Sequence, residues 1–491
     1  MYKNNKVLLS TVLWLGTLLW SALFSSLVKA ESVDKLIKTL MKERHIPGLQ
    51  LAVIKDEKVV KQGSYGFADL QHQVPVTEQT LFPINSMTKA FTGVAIVQLA
   101  EQGYLNIDDE IGKHLPELPE AWQPLKINQL MGHTTGLPPI LELSAGLETI
   151  VPNDAEASWQ AIQKQPFQFT PNSRFSYNQT GYVILGKIID KYVPEGFPAF
   201  ITKMQLARAN MPQTGQAGFD YLERMVPHQA RQYIHLGEGN YKNFYGEFPY
   251  ILRTAAGMSS TATELANYLV SLQQGKLVKE LDMLWTPVKL NNGRTEAFNN
   301  KENGYAMGWQ VTQRKYHPAI SASGGDAVTV ITYPEDKVSV IVLTNLLGGL
   351  PISFVDDIAA YYIPEFNEPS KQKAYQPMAY LSQLTDERGF SNFAATFATA
   401  QQDTGVMYDL EILVEWGNNL VENGQVNNGI EIFKFVLTQN NEQPYYHSSI
   451  AQAYELNKQY AQAFAHYQQL LTISPNSQFA KNKMTEVERY L

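Results

Sequence analysis

Ser86 and Lys89 stand three residues apart at the mouth of an uncharged run, Ala90 to Ala100, within the stretch FPINSMTKAFTGVAIVQLAEQGY that covers 82–104. On a helix that spacing puts an alcohol and an amine on one face, about 5–6 Å apart at their β-carbons. A serine is a poor nucleophile until a base takes its proton, and an exposed lysine is protonated at neutral pH. Burial disfavours the ammonium, so a lysine entering an apolar helix is pushed toward the neutral amine that can serve as that base. The helix N-terminus adds unpaired N–H groups beside the serine, suited to an anionic transition state. The chemistry to expect is acyl transfer through the Ser86 hydroxyl.

Spacing alone does not decide the matter. Ser-x-x-Lys also begins at Ser26, Ser32 and Ser370, and only Ser86 opens a long uncharged helix. In the competing reading Ser86 caps the helix and Lys89 reaches out to solvent. His133, within Gly-His-Thr-Thr-Gly-Leu-Pro at 132–138, is a second candidate base, but a helix-ending turn suits a structural role better.

The elements that must hold these residues follow from periodicity. The run after Lys89 is too short to cross a bilayer, so it reads as a helix buried on nearly all sides, stopped at Gly103. Val33 to Glu43 has helical spacing; Leu49 to Ile54 and Val59 to Gly66 read as a strand pair turned at Asp56-Glu57. A helix capped at Thr261 or Thr263 is followed by strand candidates Trp309 to Val311, Ala327 to Tyr333 and Val338 to Thr344, and by a closing helix at Ile352 to Tyr362. Residues 140–250 mix short helices with aromatic-rich loops around Tyr241 to Tyr250. Strands at both ends with helices between predict an α+β domain whose sheet joins the two ends of the segment.

With 491 residues, 44% of them hydrophobic, the chain can build two or more domains. Lys3 and Lys6, the apolar stretch Val7 to Leu27 and small residues up to Ala30 read as a secretory signal over 1–30, with an uncleaved anchor as the alternative. The chain has no cysteine, which excludes disulfides, thiolate metal sites and cysteine nucleophiles. Without the leader, 36 basic residues face 47 acidic ones, so nucleic acid is an unfavourable partner. The nine histidines include no HExxH or similar spacing, and neither a metal nor a cofactor is expected. From Pro364 the chain turns polar. Beyond it, Gly417 and Ala451, Leu420 and Tyr454, Gly429 and Ala463, Phe433 and Tyr467, and Asn441 and Pro475 recur at the 34-residue period of tetratricopeptide helix hairpins. Met378 to Gln402 reads as a helical stretch that serves either as a degenerate third repeat or as packing against the first domain.

Several stretches in one order resemble the serine beta-lactamase-related family, which contains class C beta-lactamases, D-alanyl-D-alanine carboxypeptidases, D-aminopeptidases and esterases. They are Tyr65 to Asp69, Leu81 to Lys89, Gly132 to Pro138, Phe175 to Tyr182, Gly257 to Thr261 and Val340 to Asn345. The resemblance implies a beta-lactamase/transpeptidase-like antiparallel sheet with flanking helices and a helical domain, followed by the all-α tail. It implies Ser86 as nucleophile, Lys89 as base, and Tyr177 as the phenol that shares the proton, a role that needs a cation to lower its pKa. Gln179 stands where the family's Tyr-x-Asn motif has asparagine. Ala322-Ser323-Gly324 stands where the family has Lys or His, any residue, then Gly. Gly324 and Gly325 would edge the site, with the Gly325 N–H joining that of Ser86 as oxyanion donor, while Ala322 cannot hold a substrate carboxylate. Arg174, Lys203, Arg253 or Lys301 would have to replace that anchor.

The domains expected are a signal peptide over 1–30, the hydrolase over 31–365, a linker and helical connector over 366–404 and repeats over 405–491. The function expected is that of an exported, periplasmic or secreted serine hydrolase acting on an ester or peptide-like amide, with a protein partner for the repeats. A catalytically weak penicillin-binding-like protein that binds cell-wall fragments or a partner is the alternative.

Overall fold

The computed structural model describes residues 33–140, 155–217, 225–237, 239–244, 249–298, 302–314, 316–367, 377–404, 408, 410–475 and 477–491. The leader, Lys301 and most of the polar linker fall outside these residues. After helix α1 (33–43) comes an eight-stranded sheet. Its strands are β1 (Gly48–Lys55), β2 (Lys58–Asp69), β3 (Val74–Pro75), β4 (Gly304–Tyr305), β5 (Gln310–Thr312), β6 (Ala319–Gly324), β7 (Val328–Tyr333) and β8 (Val338–Thr344), in the order β3-β2-β1-β8-β7-β6-β5-β4. Every pairing in it is antiparallel.

β1 and β8 lie side by side, with Leu51 opposite Val342 and Val53 opposite Val340, so the sheet closes the domain by joining its two ends as the pattern predicts. The period of two along each strand divides its side chains between two cores. Leu49, Leu51, Val53, Val340 and Val342 pack with Val33, Ile37 and Ile358 on one face, and Ala52, Ile54, Ile341 and Leu343 pack with the helical layer on the other. The β1–β2 turn falls at Asp56-Glu57, where both residues have positive φ, 49° and 60°. The aromatic segment near 241 is in part a strand: Tyr241–Phe244 pairs with Gln232–His235.

The organising helix, α2 (Thr88–Glu101), is preceded by a 3₁₀ turn at Asn85–Met87 that carries Ser86. Every residue from Thr88 to Leu99 is buried. Beside it lies α3 (Gln179–Tyr192), capped by the Asn178 side chain on the Thr180 N–H, and α4 (Ala262–Gln273), capped by Thr261 on the Glu264 N–H. α2 meets the neighbouring chain so closely at Gly93 that a β-carbon there would stand 1.8 Å from the Met307 carbonyl oxygen.

One expectation is corrected. The closing helix is a 3₁₀ turn, Pro351–Ser353, and a short helix, Val355–Ala359, because Phe354 leaves helical geometry between them. Met378 to Gln402 is helical as expected, in the form of two helices, α5 (Pro377–Arg388) and α6 (Phe393–Thr404), broken at Gly389 with φ 83°. The tail continues as α7 (Leu410–Glu422), α8 (Val426–Gln439), α9 (Pro444–Leu456), α10 (Tyr460–Ile473) and α11 (Gln478–Glu488). The small residues of the period lie where helices cross: a β-carbon at Gly417 would stand 2.5 Å from the Phe433 ring, and one at Gly429 would stand 2.7 Å from the Gly417 carbonyl oxygen.

Gly93→Ala separates helix propensity from packing. Alanine in an exposed helix gains about 1 kcal/mol over glycine, whereas here the methyl must displace the Met307 backbone. The substitution is expected to lower stability by about 1–3 kcal/mol, the usual cost of overpacking; a thermal melt at or above that of the parent chain contradicts this packing.

Candidate active site

The 3₁₀ turn at 85–87 points the Ser86 hydroxyl toward partly exposed space while the following helical turn carries Lys89 inward. Asn85 makes the turn possible with φ 46°, a left-handed conformation that asparagine tolerates better than most residues. Lys89 is wholly buried. Its Nζ donates to the Ala255 carbonyl at 2.9 Å, lies 3.3 Å from Ser86 Oγ, and sits over the rings of Tyr177 at 4.8 Å and Tyr182 at 5.2 Å. The snorkelling alternative is therefore incorrect.

Burial pushes the Lys89 amine well below the usual lysine range, and among the described residues no carboxylate ion-pairs with it to oppose that shift. A buried ammonium would have to recover several kcal/mol of lost hydration, and losing its proton is the cheaper course. Burial pushes the Tyr177 phenol up to about 12, with the Asp326 carboxylate acting in the same direction against the lowering influence of the neighbouring Ser86 and Gln179. This corrects the expectation that a cation lowers the phenol: burial dominates, and the phenol keeps its proton at neutral pH. Gln179, at the start of α3, leaves its Oε1 buried without a partner.

β6 ends against the nucleophile turn. A β-carbon at Gly324 would stand 2.1 Å from the Ile84 carbonyl oxygen and 2.9 Å from the Ser86 nitrogen, so glycine alone lets the strand approach. Gly325 follows with φ 58°, and a β-carbon there would meet Asn85 Nδ2 at 2.5 Å. Ser86, Lys89, Tyr177, Gln179, Gly324 and Gly325 thus come together although they lie up to 239 positions apart in sequence.

The other candidates are placed elsewhere. Ala322 is buried in the same core as Ile84 and Met87. Arg174 lies over the Phe169 ring, Lys203 is exposed, and Arg253 pairs with Asp190. His133 is buried with φ 57° in a cage of Phe175, Tyr177, Tyr182 and Tyr305 rings, 4.4 Å from Tyr177. Its Nδ1 accepts the Asn178 N–H at 3.1 Å, and burial, together with Lys89, holds it well below the usual imidazole range. The structural role stands: His133 props the Tyr177 ring. Sequence reasoning missed Asn85, Ala255, Tyr182 and Asp326, the last directly after Gly325. Of these, Asn85 had a signal, an asparagine immediately before the serine.

The beta-lactamase family model matches residues 33–363. The chain belongs to the beta-lactamase family. Among curated relatives of this family, protein flp of Staphylococcus aureus (strain N315) is 26% identical over 329 residues, 64% of this chain and 63% of its own length. The chain thus spans less than two thirds of that relative. Penicillin-binding protein 4* of Bacillus subtilis (strain 168) is 25% identical over 338 residues, 65% of this chain and 72% of its own. Among solved structures, the octameric penicillin-binding protein homologue from Pyrococcus abyssi matches with a TM-score of 0.60 at 24% identity, over 72% of this chain and 81% of that one. The family assignment and its fold apply to 33–363.

The depressed amine sets the pH response. Labelling of Ser86 by a fluorophosphonate is expected to fall as pH drops through the lowered Lys89 pKa and to reach its plateau below the pH range in which an ordinary lysine, at 10.5, titrates. Lys89→Arg keeps the charge and is expected to lose about 10²–10⁴-fold in rate, the usual contribution of a general base. A rate that still climbs toward pH 10 contradicts the assignment.

Proposed function

We propose that the protein is an exported serine hydrolase that forms an acyl-enzyme on an ester or peptide-like amide. The observation that carries this reading is the buried, uncompensated Lys89 amine 3.3 Å from Ser86 Oγ. In the mechanism Ser86 Oγ attacks the carbonyl as Lys89 Nζ takes its proton, and the Tyr177 phenol relays that proton to the leaving group. The N–H groups of Ser86 and Gly325 hold the oxyanion, and a water then releases the acyl group.

Electrostatics narrow the substrate. Position 322 offers no cation, so a substrate carboxylate lacks the partner that the family resemblance leads one to expect there. Esters and uncharged amides suit the site better than beta-lactams or D-alanyl termini. The leader over 1–30 supports a periplasmic or secreted location, and the 34-residue period supports tetratricopeptide-like docking of a protein partner by the tail. The relatives' printed names support a second reading, a penicillin-binding-like protein of weak turnover, which the alterations at Gln179 and Ala322 favour.

A panel of p-nitrophenyl esters, D-alanyl peptides and nitrocefin, with Ser86→Ala as control, separates the two. Ester turnover at least about tenfold above that of the other classes, lost in Ser86→Ala, is expected. Penicillin labelling without turnover on any substrate selects the binding reading.

A further inference from the structure

We propose that His45, His235 and Glu422 form a divalent-cation site, suited to zinc, that ties the helical tail to the hydrolase domain. The three residues come from three separate segments: His45 from the turn after α1, His235 from the strand Gln232–His235, and Glu422 from the end of α7. His45 Nε2 lies 3.6 Å and His235 Nδ1 lies 3.3 Å from Glu422 Oε2. Among the described residues this is the one group of three such side chains whose donor atoms all fall within 4.8 Å of one another. Donor atoms about 2.1 Å from a tetrahedral zinc stand about 3.4 Å apart, close to both measured edges.

The present contacts leave the group short of partners. The His235 side chain is 8% exposed, and the Nε2 atoms of His45 and His235 are buried without a hydrogen bond. No lysine or arginine among the described residues ion-pairs with Glu422. The Glu422 carboxyl group thus faces two imidazole rings with lone pairs to donate and has no lysine or arginine paired with it among the described residues. A cation supplies what is missing. Two imidazoles and one carboxylate select a borderline first-row ion over magnesium or calcium, which prefer all-oxygen ligands.

Ring geometry states what binding must change. The imidazoles stack at 4.1 Å, 15° from parallel, whereas an ion shared by both has to lie in both ring planes. The rings must therefore turn about χ2, a soft sp³–sp² torsion. Tyr241 braces the site from behind, donating its hydroxyl to the His45 carbonyl at 2.8 Å. Glu422 and His45 retain 29% and 25% side-chain exposure, which leaves an entry path and room for water as a fourth ligand.

The test uses the full, tag-free chain, stripped with a chelator and titrated with zinc against a chromophoric competitor. One equivalent is expected to bind, with Glu422→Gln and His235→Ala each weakening it by about 100-fold and Ser86→Ala leaving it unchanged. Cobalt in place of zinc should give visible absorption of tetrahedral intensity that Glu422→Gln removes, and zinc should slow amide exchange in α7 of the parent chain alone. Substoichiometric binding, or binding unaffected by Glu422→Gln in a variant whose metal-free melt matches the parent, overturns the site. Should His235→Ala fail to fold, the more exposed Glu422→Gln carries the result.

Discussion

Everything in the hydrolase domain depends on keeping water away from one amine. Lys89 has no exposed surface, and its hydrogen bonds run to a carbonyl and to Ser86, so its basicity is set by exclusion of solvent and not by a neighbouring charge. That exclusion is built from backbone approaches that only glycine permits. A β-carbon at Gly308 would stand 2.2 Å from the Lys89 carbonyl oxygen, as one at Gly93 would crowd Met307 and one at Gly324 would crowd Ile84. Phe91, Val94, Ile96, Val97 and Leu99 are buried along the same helix, each contributing about 1.5–3 kcal/mol, which offsets the several kcal/mol that a desolvated polar group costs.

Much of this was legible before any coordinates. The strands β1, β7 and β8 fell within a few residues of their apolar runs, because a sheet buried on both faces imposes near-continuous hydrophobicity on its central strands. The helix α2 was legible for the same reason. Breaks were harder to see: Gly389 ends α5 in a segment whose residues otherwise continue a helical pattern, and the cost of one glycine in a helix is small enough for packing to decide. Pairwise chemistry was harder still. The spacing of Ser86 and Lys89 is local and could be read, but the state of Tyr177 depends on what surrounds it, and burial is the largest influence on its phenol.

Residues brought together from distant segments left no trace in spacing. Nothing in the positions 45, 235 and 422 announces a cluster, since each residue sits in a different element and the motifs that signal metal sites are those confined to one helix or one loop. His133 shows the converse. A histidine in a helix-ending turn near a serine invites the role of base, and only its acceptance of the Asn178 N–H and its ring contacts identify it as the support behind Tyr177.

The tail and the cleft are electrostatically joined. Burial and the facing carboxylate of Asp326 push Glu415 of α7 up to about 8 despite the opposing pull of Arg44, and the same Asp326 acts on the Tyr177 phenol. A folded-state pKa raised above the usual 4.5 means that the contact between α7 and the cleft rim is strongest in acid and weakens as pH rises toward 8. With its pKa at about 8, Glu415 is mostly protonated at pH 7, so α7 adds no negative charge beside Asp326 until the pH rises past that value.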